Sequence, residues 1–151
     1  MMLGYFCGPN RSAGQTSAAL MLDALRTGDR PQFEQALVAL FAAIPFDLHV
    51  NREAYYHSVF FAALQAAGGE IIAESHTDKG RADAVIKTPT AIYVIEFKLG
   101  PVADAMAQIK LRRYYEPYLA DPRPIILLGA GGFEDRTVQC RWEEFARNES
   151  A

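Results

Sequence analysis

The sequence predicts an α/β fold: a central mixed β-sheet flanked by helices, in the order αβββαβ, behind an N-terminal helical extension. Three observations predict it. Apolar residues recur at helical spacing as far as Gly68-Gly69, the period then changes to two between Glu70 and Leu99, and a further helix leads into the wholly apolar run Ile125 to Leu128. The composition suits one ordinary globular domain, with 151 residues, 50% apolar, 22% charged, 11 Gly and 8 Pro. A chain of this length buries about 70% of the surface it exposes when unfolded, enough for a core without disulfide staples.

The elements follow from periodicity and punctuation. Ser17 to Arg26 forms a first helix that carries Leu22 and Leu25 and stops at Gly28. Pro31 to Ala43 forms a second, whose stripe of Phe33, Leu37, Leu40, Phe41 and Ile44 is ended by Pro45. A longer helix starts from Asn51, a good N-cap, and buries Tyr55, Tyr56, Val59, Phe60, Ala63, Leu64 and Ala67 before the Gly68-Gly69 stop. A three-strand meander comes next: Glu70 to Ser75, a turn at Asp78 to Gly80, Ala82 to Lys87, a turn at Thr88 to Thr90, and Ala91 to Leu99. Pro101 opens a helix through Val102, Met106 and Ile109 that ends or kinks near Pro117. Ile125 to Leu128 is a buried strand, Gly129 to Gly132 a loop, and Thr137 to Trp142 a last short strand.

Several function classes are excluded or disfavoured. The uncharged runs Ser12 to Leu22 and Gln35 to Phe46 fall short of the roughly 20 apolar residues that cross a bilayer, so no membrane association is expected. Met1 to Asn10 lacks the basic start and apolar run of a secretory signal. Cys7 and Cys140 lie far apart without a histidine at ligand spacing, which indicates neither a disulfide framework nor a zinc site and points to the reducing cytoplasm. A net charge of −3 is a poor start for a strong grip on phosphate backbones, but the charge is uneven. Lys79 to Arg113 holds seven basic and three acidic residues, a local balance of +4.

That stretch also carries the chemistry. In Ala91 to Leu99 the side chains of Tyr93, Ile95, Phe97 and Leu99 share one face, and Ile92, Val94, Glu96 and Lys98 the other. A carboxylate and an ammonium therefore end the strand about 6 to 7 Å apart. Asp83 starts the neighbouring strand, where a short hairpin brings it beside Glu96. Two carboxylates converging at a strand end suit a hard divalent cation such as Mg²⁺, which takes oxygen ligands and only one or two protein carboxylates. A lysine beside them can orient or help deprotonate a water, or offset charge developing on a phosphate.

These residues resemble the PD-(D/E)XK nuclease superfamily, with its restriction-endonuclease-like fold. Gly80-Arg81-Ala82-Asp83 is similar to the family's Asp-bearing strand start, and Glu96-Phe97-Lys98 to its Glu-x-Lys element. More narrowly, the chain resembles the nuclease-like domain found C-terminal to AAA-ATPase-like domains in bacterial proteins. The likeness runs from about Phe33 to Phe133 and includes Glu53-Ala54-Tyr55-Tyr56-His57, Glu74, Gln108-Ile109-Lys110 and Tyr114, whereas Met1 to Gly28 matches no known motif. It implies residues 1–46 as the helical extension packed on the core and 47–151 as the nuclease-like domain.

The resemblance further implies that Asp83 and Glu96 are metal ligands for Mg²⁺ or Mn²⁺. Glu53 would be a helix-borne acid reaching the metal directly or through water, the Phe97 carbonyl a further ligand, and Lys98 the catalytic lysine. Gln108 and Tyr114 would contact the phosphate or position the active face, and Lys110, Arg112 and Arg113 could track a nucleic-acid backbone. The implied activity is hydrolysis of phosphodiester bonds, in DNA first; the alternative is a weak or inactive nuclease-like module that binds nucleic acid or an AAA-ATPase-like partner. A homodimer stays open. Blander readings stand beside these: Glu96 and Lys98 as a surface ion pair worth roughly 0 to 1 kcal/mol, Glu53 as a carboxylate favoured at a positive helix end, and His57 as a packing residue. Gly129 to Gly132 lacks the Gly-Lys-Ser/Thr of a phosphate-binding loop.

Overall fold

The computed structural model describes residues 9–42, 53–66, 68, 71–72, 76–77, 80–133 and 137–146. Helices α1 (Pro9–Thr27), α2 (Arg30–Ala42) and α3 (Glu53–Ala66) precede strands β1 (Ile71–Ile72), β2 (His76–Thr77), β3 (Gly80–Arg81), β4 (Ala84–Lys87) and β5 (Ile92–Phe97). Helix α4 (Val102–Arg112), a 3-10 turn (Glu116–Tyr118), β6 (Ile125–Gly131) and β7 (Gln139–Glu144) follow. The Asn51 cap and Glu74 lie outside the described residues.

The main sheet has the order β1-β4-β5-β6-β7, and β2 pairs only with β3. The expected meander is present: β1 pairs antiparallel with β4, and β4 with β5, placing Ala84 opposite Ile95 and Lys87 opposite Ile92. The β5–α4–β6 unit then makes the one parallel pair among the described strands, with Glu96 opposite Gly129 and Phe97 opposite Ala130. All six residues of β5 are buried because the strand is covered on both faces. Tyr93, Ile95 and Phe97 join the core built with α1, α2 and α3, while Ile92 and Val94 join the one under α4. The two-face division read from the alternation of β5 therefore holds, and helices α1 and α2 share a single core with α3 and the sheet.

Three differences from the sequence reading bear on the site. Helix α1 begins at Pro9, well before Ser17, so its first turns are built from polar and small residues that carry no apolar stripe. Helix α4 ends at Arg112, before Pro117 acts, because Arg113 adopts the left-handed conformation at φ 53°. Its N–H returns to the Lys110 carbonyl and that of Tyr114 to Ile109, closing the helix in a Schellman-type turn usually made by glycine.

The third difference is at Gly129 to Gly131, which continue β6 instead of forming a loop. A Cβ at Gly131 would lie 2.6 Å from the Val102 nitrogen and 2.7 Å from its Cα, and one at Gly129 2.9 Å from Met106 Sδ. Glycine is needed here for close approach, since it lets the start of α4 lie directly on the end of β6. The outer edge of β7 is closed in part by α2, where Glu34 Oε2 accepts the Cys140 N–H at 2.7 Å. No described helix is long and apolar enough to cross a membrane.

Candidate active site

The acidic pair forms where the β4–β5 ladder stops. Strand β4 starts at Ala84, and Asp83 sits in a bend just before it. In a continued ladder the Phe97 N–H would meet a main-chain carbonyl across the pair. Instead it donates to Asp83 Oδ2 at 2.8 Å. The carboxylate thus takes over a ladder position, which fixes Asp83 against the peptide joining Glu96 to Phe97.

Glu96 is held from the other side. It is only 4% exposed, and a carboxylate at that depth requires hydrogen-bond donors. Gln108 Nε2, on α4, donates to Glu96 Oε2 at 2.7 Å and to the Tyr114 hydroxyl at 3.1 Å. Both protons of the amide nitrogen are thereby committed, so the Gln108 orientation is fixed by its partners. Two backbone features make this contact possible. The glycines of β6 allow α4 to settle close to the sheet, and the left-handed Arg113 turns the chain so that Tyr114 comes back under the helix as a buried residue.

Asp83, Phe97, Glu96, Gln108 and Tyr114 therefore form a connected set. Lys98 follows directly, half-buried, with its N–H donating to the Ala130 carbonyl at 2.9 Å, so β5 pairing persists through the lysine backbone. Lys110 lies elsewhere: its Nζ is 2.7 Å from Glu143 Oε1 on β7. Arg112 is exposed on the same helix, and Arg113 pairs with Glu116 at 3.1 Å. Glu53 opens α3, a helix that packs through Tyr56, Phe60 and Leu64 against the sheet face of Tyr93, Ile95 and Phe97. The side chains of Glu53 and His57 lie outside the described residues.

Sequence reasoning missed the residues that place the set rather than those that compose it: Gly129, Gly131 and Arg113. A glycine pair at the end of an apolar strand, followed in space by a helix start, was the available signal for the first two. Nothing in the sequence marks Arg113 as left-handed.

The donor set suits a hard cation. Two carboxylates and the Phe97 carbonyl are all oxygen donors, and each carboxylate has one oxygen fixed by an intramolecular N–H, which orients the other. Among the described residues no three His, Cys, Asp or Glu side chains are grouped so as to hold a metal ion.

A mixed sheet flanked by helices, in which an antiparallel hairpin meets a parallel β–α–β unit, is consistent with the restriction-endonuclease-like class of α/β proteins. The chain belongs to the PD-(D/E)XK nuclease superfamily, whose family model matches residues 51–142. It is also 34% identical over 137 residues to an uncharacterized protein in the vnfD 5' region of Azotobacter chroococcum mcd 1, a match that covers 85% of this chain. The chain spans 26% of that relative's length. No solved structure matches it.

Proposed function

We propose that the chain is a nuclease that hydrolyses phosphodiester bonds, in DNA, with Mg²⁺ or Mn²⁺ held by Asp83, Glu96 and the Phe97 carbonyl and reached by Glu53. The observation that supports the reading is the buried Glu96 carboxylate, which accepts from Gln108, next in the chain to Phe97, whose N–H donates to Asp83. A cation bound there supplies Lewis acidity toward the phosphate and makes a water a better nucleophile. Lys98 orients that water and offsets charge that develops on phosphorus-bound oxygens in the transition state. Gln108 keeps Glu96 in place, Tyr114 steadies Gln108, and Lys110 and Arg112 approach the nucleic-acid backbone. Among the described residues Cys140 is in no disulfide, and the compartment this reading assigns is the reducing cytoplasm.

One observation favours a second reading, a nuclease-like module with slow or absent chemistry that binds nucleic acid or an AAA-ATPase-like partner. The cations expected to track phosphates are engaged within the protein, Lys110 by Glu143 and Arg113 by Glu116, in a chain of net charge −3. Such exposed pairs are worth only about 0 to 1 kcal/mol each. A cleavage panel over single-stranded, double-stranded and branched DNA and RNA, with and without Mg²⁺ or Mn²⁺ and with Asp83→Ala alongside, tests both. Metal-dependent cleavage lost in the variant supports the nuclease; no cleavage of any substrate supports the module.

A further inference from the structure

A cleft of about 530 Å³ opens at the far end of β4 from Asp83, lined by Leu22, Arg26, Ile86, Lys87, Pro89 and Arg123 among others. Lys87 is four residues beyond Asp83, about 13 Å along the strand, so the cleft is separate from the acidic pair. Its volume is in the range of small-ligand sites. Three of its lining side chains are cations and the rest are apolar or uncharged.

The structural explanations for these cations are incomplete. Arg26 is in the last turn of α1, where a cation commonly caps the terminal carbonyls. Three of those carbonyls have donors. The Gly28 and Asp29 N–H groups donate to Ala24, the Tyr93 hydroxyl to Leu25 at 2.7 Å, and the Thr90 hydroxyl to Arg26 at 3.4 Å. The Arg26 guanidinium makes a loose pair with Asp23 at 3.8 Å, both side chains more than half exposed. Lys87 Nζ sits over the Tyr118 ring at 5.4 Å.

Arg123 is the fixed member. Its Nη1 donates to the Thr88 carbonyl at 2.9 Å, and its Nε and Nη2 to the Asp121 carboxylate. Arg123 and Lys87 together hold the Asp121 carboxyl well below the usual carboxylate range. Among the described residues, with Asp121 and Asp23 included, three positive and two negative charges lie at the cleft. An arginine fixed by hydrogen bonds, two further cations and the apolar wall of Leu22, Ile86 and Pro89 match a phosphate group attached to an apolar body.

We propose that this cleft binds a phosphate group carried by a nucleotide-like ligand, with Arg26 and Lys87 closing on the phosphate. The proposal does not rest on the nuclease reading. The phosphate could come from a free nucleotide or from a nucleic-acid strand, and the test separates them. AMP and a short single-stranded DNA are titrated calorimetrically, without divalent metal, into the wild type and the Arg26→Gln/Lys87→Gln variant, with thermal melts confirming that each is folded. Either ligand should lose about tenfold or more in affinity in the double variant, as charged hydrogen bonds are removed. A loss seen with AMP identifies a free-nucleotide site, and one seen with DNA alone a backbone contact. If wild type binds neither ligand at millimolar concentration, or binds both equally well in the double variant, the proposal is overturned, whatever the cleavage panel shows.

Discussion

Gln108 joins Glu96 to Tyr114 through a single nitrogen, 2.7 Å from the Glu96 carboxylate and 3.1 Å from the tyrosine hydroxyl. A buried carboxylate thus depends on a helix whose distance from the sheet is set by glycines and whose end is set by a left-handed arginine. Changes remote from the acids should therefore be felt at them.

Replacing Gln108 with Leu keeps the bulk but withdraws a donor from a buried carboxylate. The protein should lose about 1 to 3 kcal/mol of stability, read as a lower midpoint in urea unfolding with an unchanged slope. An unaltered midpoint would show that other donors suffice for Glu96.

The two glycines of β6 should differ. At Gly131 an added methyl meets backbone, the Val102 nitrogen and Cα, which can move only if α4 moves. At Gly129 the nearest atom is the flexible end of Met106. Gly131→Ala should cost about 1 to 3 kcal/mol, as overpacking does, and lower any cleavage rate by shifting Gln108, whereas Gly129→Ala should be milder on both measures. Thermal melts and initial rates check the order.

Tyr93 gives the stability a defined alkaline limit. Burial raises its hydroxyl pKa to about 12 from an ordinary value of 10.0. Below pH 10 the group is neutral folded and unfolded. Above that the unfolded chain loses the proton first, so stability present below about pH 10 declines as pH rises toward 12, by about 1.4 kcal/mol per unit. Tyr93→Phe should flatten this decline. Near neutral pH it should lower stability by about 1 kcal/mol through loss of the bond to the Leu25 carbonyl. Urea titrations at pH 8, 10 and 11 distinguish the two effects.

Much of this arrangement could be read from the chain, and what could not has a physical reason. The alternation in β5 separated Tyr93, Ile95 and Phe97 from Ile92, Val94 and Glu96, whereas which of the two sets lies under α4 came only from the fold. The Phe33, Leu37, Leu40 and Phe41 stripe and the Tyr56, Phe60 and Leu64 stripe are buried as expected. Gly129 to Gly131 misled, because a glycine run signals a turn by local propensity, while here it answers a tertiary contact with α4. Arg113 was invisible for the same reason: its left-handed conformation is imposed by the packing of Tyr114. The capping of β5 by Asp83 also depends on where a ladder ends, which periodicity does not reveal.

Metal binding by the acidic pair can be measured apart from catalysis. Asp83→Asn and Glu96→Gln should each weaken Mn²⁺ binding in calorimetric titration. They should melt at the wild-type temperature or above, since each amide keeps an acceptor for the Phe97 or Gln108 N–H and removes a charge from the apo site. Unchanged metal affinity in both variants would favour the binding-module reading.

The most direct measurement is metal-dependent cleavage by Lys98→Met, set beside its Mn²⁺ affinity. The substitution removes the ammonium, keeps most of the apolar stem and leaves Asp83, Glu96 and the Phe97 carbonyl untouched. Mn²⁺ affinity should be retained while the cleavage rate falls about 10² to 10³-fold, as for loss of a single transition-state donor. Full cleavage by Lys98→Met, or no metal-dependent cleavage by the wild type on any nucleic acid, would contradict the assignment of nuclease chemistry to this site.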